Sequence, residues 1–372
     1  MAGIYIHIPF CRQACVYCNF HFKTGNKGTD EMVEAIAKEA ALRKNEITEP
    51  IETVYFGGGT PSFLSPAQLE QIVKTLHQHY NLSLVKELTL EANPDDITLE
   101  KLQQWQSFGV NRLSIGVQSF NDADLKWMNR AHNTEQAFES ISQALQLGFE
   151  ISIDLIFGLP DSGEGQWLKN LETANALGVH HLSCYGLTLE HNTAWEKLIS
   201  RKAYKAPDEQ ATAHQFEMTM DFLEANGWGH YEISNYCRPG YEAKHNTAYW
   251  QNKPYIGLGP SAHSFNGNER LWNIADNAQY VASIQKGELP LQSELLTRQN
   301  KINEYLMTGL RTKWGIDLKV PAAQGFKTES LKLLLNNYIG KGWLKSEGDI
   351  FTLTKQGKLY ADAIASELFY SE

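Results

Sequence analysis

The sequence has 372 residues and a formal net charge of −10. This length accommodates one barrel-sized domain plus a smaller one, with a core that needs no disulfides. The acidic balance argues against non-specific binding to nucleic acid or to an anionic membrane, because both select a basic surface. The segment before Cys11 lacks the basic start and apolar stretch of a secretory signal, and no run approaches the ~20 apolar residues of a membrane span. We therefore expect a cytoplasmic protein that binds no nucleic acid.

Six short apolar runs rich in β-branched residues alternate with amphipathic, helix-length segments in the first half of the chain. Such runs are typical of strands buried on both faces of a parallel sheet. They cover residues 4–8, 54–56, 88–90, 113–117, 151–156 and 182–185. Three of the helical segments end at Gly109, Gly148 and Gly178, as expected of left-handed C-caps. The pattern predicts an α/β fold, a partial (βα)6 barrel of the TIM type with its chemistry at the carboxyl ends of the strands.

The pattern changes after residue 297, where short helices precede two predicted strands, a turn at residues 347–349 and a last helix. We therefore predict three parts. They are a barrel over residues 1–200, a barrel extension over 201–297 and a small winged-helix-like α+β domain over 298–372. A winged helix can read DNA, but this segment has only scattered lysines, which favours a packing or partner-docking role.

Three cysteines stand within eight residues, directly after the first predicted strand. Cys11, Cys15 and Cys18 are separated by three and by two residues. Three thiolates can hold three irons of a cubane [4Fe–4S] cluster and leave the fourth iron open to an exogenous chelator. The alternative is a closed, structural zinc site in which His21 is the fourth ligand.

Glycine-rich and polar motifs follow the next predicted strands. Residues 56–61, Phe-Gly-Gly-Gly-Thr-Pro, come directly after the second strand and lack the Lys-Ser/Thr pair of a Walker loop. Glycines there allow the backbone to approach a ligand closely, although a tight β/α turn alone would also explain them. Residues 91–94, 114–120 and 154–160 place carboxylate and amide side chains after the third to fifth strands. Parallel strands bring all these positions to one edge of the sheet.

With the front segment Tyr5–Cys11 and with Arg130, these motifs make the chain resemble the radical S-adenosylmethionine (SAM) superfamily and, within it, the HemN/HemW group. The resemblance rests on the CX3CX2C signature and extends over essentially the whole chain. It implies a [4Fe–4S] cluster on the three cysteines, with SAM bound beside it. The residues that match SAM contacts of the group are Tyr5, Gly58, Gly59, Thr60, Glu91, Gln118, Arg130, Asp154 and Gly186.

Two features separate the branches of this group. The HemN branch, oxygen-independent coproporphyrinogen III oxidase, carries CX3CX2CXC, whereas Phe20 replaces the last cysteine here. Residues 245–250 match the HNXXYW motif of the HemW branch, the haem chaperones. The resemblance therefore implies haem as a further cofactor and haem-acceptor proteins as partners, with membrane-bound respiratory proteins as candidates and the chain a monomer or weak dimer. The alternative is an enzyme that decarboxylates a porphyrinogen.

His245 and Tyr249 lie four residues apart and would share one face of a helix. Imidazole and phenolate are both haem-iron ligands. We therefore predict that this motif holds haem through His245, with His21 and His263 as reserve candidates. The alternative is a satisfied polar cluster at the base of the barrel extension.

Overall fold

A computed structural model describes residues 2–370. The strands are β1 (Ala2–Ile8), β2 (Phe10–Cys11), β3 (Lys23–Thr24), β4 (Ile51–Gly58), β5 (Glu87–Ala92), β6 (Arg112–Gln118), β7 (Glu150–Phe157), β8 (His181–Gly186), β9 (Gly229–Glu232), β10 (Asn235–Cys237), β11 (Tyr255–Leu258), β12 (His263–Phe265), β13 (Glu269–Asn273), β14 (Leu291–Leu295), β15 (Ile316–Asp317), β16 (Leu344–Glu347) and β17 (Ile350–Leu353). The helices are α1 (Thr29–Leu42), α2 (Pro66–His79), α3 (Leu99–Ser107), α4 (Asp122–Trp127), α5 (Thr134–Gln146), α6 (Glu164–Ala176), α7 (Ala194–Ser200), α8 (Glu209–Ala225), α9 (Lys244–Trp250), α10 (Asn277–Lys286), α11 (Arg298–Leu310), α12 (Lys319–Ala323), α13 (Glu329–Gly340), α14 (Lys355–Lys358) and α15 (Ala361–Glu367).

The six predicted strands form one parallel array in the order β1, β4, β5, β6, β7, β8. Helices connect each strand to the next, so the predicted partial (βα)6 barrel is confirmed. The helix ends are also as predicted, because Gly109, Gly148 and Gly178 have φ angles of 94°, 81° and 75°. A left-handed residue after the last helical turn lets the chain reverse into the next strand.

The barrel strands alternate between two kinds of side chain. Residues such as Ile4 and Ile6 are fully buried in the main apolar core, which the helices cover. The residues between them are polar and meet across neighbouring strands, as when the Tyr55 hydroxyl donates to Glu91. Because successive side chains of a strand point to opposite faces, this alternation leaves a polar interior inside the curved sheet.

The region predicted as a barrel extension completes both edges of the same sheet. Strand β11 pairs parallel to β1, and β12, β13 and β14 follow it antiparallel. Strands β10 and β9 lie beyond β8 at the other edge, giving twelve strands in all. The three-part division of the chain stays a prediction, since the middle part shares its sheet with the barrel.

A small α+β unit follows the barrel and has its own apolar core. Its sheet has the order β15, β17, β16, and the predicted hairpin at residues 344–353 is present. Ile302, Leu335 and Phe351 are among the buried residues that join its helices to this sheet. Between residues 2 and 370 no helix combines the length and apolar character needed to cross a membrane.

Candidate functional site

The three clustered cysteines lie in the loop that follows β1, at the carboxyl end of the barrel. The side chain of Cys11 is buried, and those of Cys15 and Cys18 are half-buried. The Thr60 hydroxyl donates to the Cys11 sulfur at 3.3 Å. Burial raises the pKa of Cys11 to about 12 and that of Cys18 to about 11. Both thiols therefore stay protonated on their own, and a bound iron would have to displace the proton.

The donors around these cysteines are not arranged as a zinc site. No group of three or more His, Cys, Asp or Glu side chains within residues 2–370 is placed to hold one metal ion. His21 is engaged elsewhere, because its Nε2 atom bonds the side-chain oxygen of Asn277 at 2.7 Å. A cubane takes each thiolate on a different iron, so its ligands stand further apart than those of a single ion. The zinc alternative therefore lacks its ligand geometry.

Two glycines, one at the end of β4 and one directly after it, allow the cluster loop to pack against the barrel. Gly58 has a φ of 109°, and a Cβ atom there would lie 2.6 Å from Nδ1 of His7. A Cβ atom on Gly59 would lie 2.7 Å from the carbonyl oxygen of Phe10. The glycines are thus required by a close approach of protein to protein, beside the cysteines, as well as by any ligand above them.

A cavity of about 420 Å³ opens beside the cysteines, within the usual range for small-molecule sites. The three clustered cysteines line it, and so do eight of the nine residues that match SAM contacts. Those eight are Gly58, Gly59, Thr60, Glu91, Gln118, Arg130, Asp154 and Gly186. The ninth, Tyr5, lies deeper in the barrel, where its hydroxyl meets Nδ1 of His7 at 3.1 Å.

The charged groups of the cavity suit a zwitterionic ligand. Arg130 donates to the side-chain oxygen of Asn93 at 2.6 Å and to the carbonyl oxygen of Gly116 at 2.8 Å, while its buried Nε atom has no partner within residues 2–370. The positive charge of this guanidinium at the cavity wall suits a ligand carboxylate. Burial raises the pKa of Glu91 to about 7, and burial also raises the pKa of Asp154. These carboxyl groups are placed to meet an ammonium group or ribose hydroxyls, so the residues present fit SAM.

Asn93 belongs to the predicted motif of residues 91–94 but was not among the predicted SAM contacts. Its side-chain oxygen accepts from Arg130, and its amide donates to the Thr60 hydroxyl at 3.3 Å. Thr60 in turn donates to Cys11, so Asn93 links two predicted SAM residues to the cluster loop. The available signal was its position two residues after Glu91, at the carboxyl end of β5, where barrel sites are built.

The HNXXYW motif lies at the opposite, amino-terminal end of the barrel. His245 is 1% exposed, and its Nδ1 and Nε2 atoms bond the hydroxyls of Thr53 and Tyr249, both at 2.7 Å. Its ring also stacks on Tyr55, with the centroids 5.1 Å apart. The shared helical face was predicted correctly, but neither ring nitrogen is free for iron. The geometry therefore supports the polar-cluster alternative, with α9 as a plug of the barrel.

The two reserve haem ligands do not line the cofactor cavity either. His21 is held by Asn277, as described above. His263 is exposed on β12, and its ring stacks loosely on Trp272, 6.1 Å between centroids. Each lies among residues that already account for its position.

Comparisons with known proteins identify the family. Residues 5–174 match the family model of the radical SAM superfamily, and residues 296–360 match that of the HemN C-terminal domain. A relative from Bacillus subtilis named "Heme chaperone HemW" is 36% identical over 98% of both chains. One of the same name from Escherichia coli is 31% identical over 100% of this chain and 98% of that one.

The solved structure of coproporphyrinogen III oxidase (HemN) from Escherichia coli has the same fold. It superposes with a TM-score of 0.86 at 23% identity, over 99% of this chain and 90% of that one. This likeness extends through the barrel, both sheet edges and the small carboxyl-terminal unit. The near full-length identity to the curated relatives decides the family. The chain belongs to the HemW family of the radical SAM superfamily.

Proposed function

We propose that this protein is a haem chaperone that holds a [4Fe–4S] cluster on Cys11, Cys15 and Cys18, binds SAM beside it, and delivers haem to acceptor proteins. The observation that carries the radical SAM part is the single cavity shared by the three cysteines and eight matching SAM residues. The names of the curated relatives support the haem part.

The cluster, when bound, would supply an iron with an open position and a source of single electrons. The protein's own residues bind and orient the ligand beside the cluster. Arg130 supplies the positive charge that orients a ligand carboxylate, and Glu91 and Asp154 receive the ammonium or ribose hydroxyls. Gly58 and Gly59 keep the cavity wall free of side chains beside the sulfurs, so the ligand can lie close to them.

The partners follow from the same proposal. Haem-acceptor proteins would take the cargo, and membrane-bound respiratory proteins are the candidates. We propose a cytoplasmic site of action, because three unpaired cysteines that ligate a cluster need a reducing compartment. We propose a monomer or weak dimer, and no nucleic acid as partner, because the charge balance is acidic.

The competing function is oxidative decarboxylation of coproporphyrinogen III by SAM. The residue at the fourth cysteine position of that enzyme's pattern is Phe20, whose side chain is 69% exposed and carries no sulfur. The deciding experiment pairs a haem titration of the anaerobically reconstituted protein with an assay for carbon dioxide released from coproporphyrinogen III. We expect one haem per chain and no carbon dioxide. Release of carbon dioxide without haem binding would replace the chaperone by the enzyme.

A further inference from the structure

An exposed apolar rim borders the mouth of the cofactor cavity. Phe20, Tyr185 and Leu189 are 69%, 43% and 38% exposed. Phe20 and Tyr185 line the cavity, and Leu189 lies between two residues that do, Thr188 and Glu190. Large apolar side chains gathered at a cavity mouth mark a binding surface, because solvent exposure of such groups is unfavourable.

A histidine with an open coordinating nitrogen follows this rim in the sequence, two residues after Leu189. His191 has 94% of its side chain exposed, and its Nδ1 atom lies 3.0 Å from Oε1 of Glu196. The Nε2 atom has no hydrogen-bond partner within residues 2–370. A carboxylate on Nδ1 fixes the tautomer that leaves the Nε2 lone pair outward, which is the usual support of a metal-ligating histidine.

The segment that carries this histidine is tied to the cluster loop on both sides of it. The side-chain amide of Asn19 donates to Oε2 of Glu190 at 3.0 Å. Phe20 directly follows the donor residue in the sequence, and His191 directly follows the acceptor residue. The main-chain N–H of Trp195 donates to the Val16 carbonyl at 2.8 Å and anchors the start of α7 to the same loop. These contacts pre-organise the rim before any ligand arrives.

We propose that His191 is an axial ligand of haem, and that the macrocycle lies on the apolar rim formed by Phe20, Tyr185 and Leu189. This proposal rests on the haem-chaperone function proposed above and names its haem site. A bare metal ion does not fit, since no group of three or more His, Cys, Asp or Glu side chains within the described residues is placed to hold one. An iron porphyrin supplies its own four nitrogens and needs only an axial ligand and an apolar surface.

Helix α7 and the residue after it carry cations that could pair with the two carboxylates of haem. Lys197 and Arg201 are exposed along and just beyond α7, and neither forms an ion pair in the described part of the chain. His245 differs from His191 in both respects that matter, because it is buried and both of its nitrogens are bonded. Access and a free lone pair together favour His191.

The test is a ferric haem titration of the reconstituted protein, followed by the Soret band. We expect His191→Ala to shift the band toward that of free haem and to raise the haem Kd by about tenfold or more. The matched control is His214→Ala, since His214 is also exposed and faces a carboxylate, Glu164 at 3.5 Å, but lies on α8. His214→Ala should leave both measurements unchanged. Exogenous imidazole should restore the band in His191→Gly.

The apolar rim is tested separately with metal-free protoporphyrin IX. Without iron this macrocycle cannot use an axial ligand, so Phe20→Ser should weaken its binding while His191→Ala should not. If the wild-type protein binds haem and His191→Ala keeps its Soret band and affinity, the His191 site is overturned and the chaperone function stands. If the wild-type protein binds no haem at all, the proposed function itself fails.

Discussion

The guanidinium of Arg130 donates to the Sγ atom of Cys15 at 3.2 Å, across 115 residues of sequence. The same side chain donates to Asn93 on the barrel wall. One arginine thus joins the cluster loop to the rim of the SAM cavity. A substitution of Arg130 should therefore affect the binding of both the cluster and SAM.

We expect Arg130→Lys to weaken SAM binding by on the order of tenfold, because a lysine keeps the charge but loses the forked donor geometry. Calorimetric titration of SAM into the reconstituted protein measures this. The control is Arg270→Lys on β13, where the arginine bonds Glu304 far from the cavity. Equal SAM affinity in Arg130→Lys and wild type would mean that Arg130 serves the loop only.

The cluster assignment predicts about four irons and four sulfides per chain after anaerobic reconstitution, since three thiolates can hold the cubane. Changing Cys11, Cys15 or Cys18 to Ser should abolish this content. Cys184→Ser and Cys237→Ser are the controls, because both sulfurs are buried in strands of the sheet, outside the cluster loop. Iron and sulfide analysis decides the matter, and stoichiometric zinc in anaerobically purified protein would contradict it.

A methyl group on Gly59 should disturb the cluster although every thiol remains. The added Cβ atom would lie 2.7 Å from the Phe10 carbonyl and push the cluster loop away. We expect Gly59→Ala to lower the iron retained after reconstitution and desalting. Gly163→Ala is the matched control, since a Cβ atom there meets nothing within 4 Å. Equal iron content in the two variants would remove the steric argument.

Glu91 should make the cluster-free protein less stable as the pH rises. Its pKa is raised from 4.5 to about 7 by burial, so the folded state binds more protons than the unfolded state between these values. The contribution of Glu91 to the free energy of unfolding is therefore fully present below pH 4.5. It is lost as the pH rises to about 7. Urea unfolding across this window should show a shallower decline for Glu91→Gln than for wild type. Burial also raises the pKa of Glu232 to about 7, so the comparison, rather than the total slope, is informative.

The two hydrogen bonds of the buried His245 ring predict a loss of stability when this residue is replaced. The substitution His245→Ala leaves the buried hydroxyl of Thr53 and the part-buried hydroxyl of Tyr249 without their partner, and a buried unsatisfied group costs about 1 to 3 kcal/mol. Chemical unfolding measures the loss. Haem binding in the folded fraction should be unchanged, and a displaced Soret band in that fraction would return the iron-ligand role to His245.

The sequence by itself determined the barrel, the cluster loop and most of the cavity. Strand periodicity and glycine caps are local features of the sequence. Residues that follow consecutive parallel strands must meet at one edge of the sheet, so the sequence alone predicts that Thr60, Glu91 and Asp154 lie together. The small carboxyl-terminal unit was also readable, because its hairpin and helices are continuous in sequence.

Only the tertiary structure decided which histidines are buried and which nitrogens are free. A helical motif such as residues 245–250 shows its shared face in the sequence, but not whether that face meets solvent or the end of a barrel. His191 carried no signal, because its setting depends on the Asn19–Glu190 bond between segments 171 residues apart. Local patterns fix periodicity and spacing, whereas burial and the occupation of a lone pair are set by contacts that form only when distant segments pack.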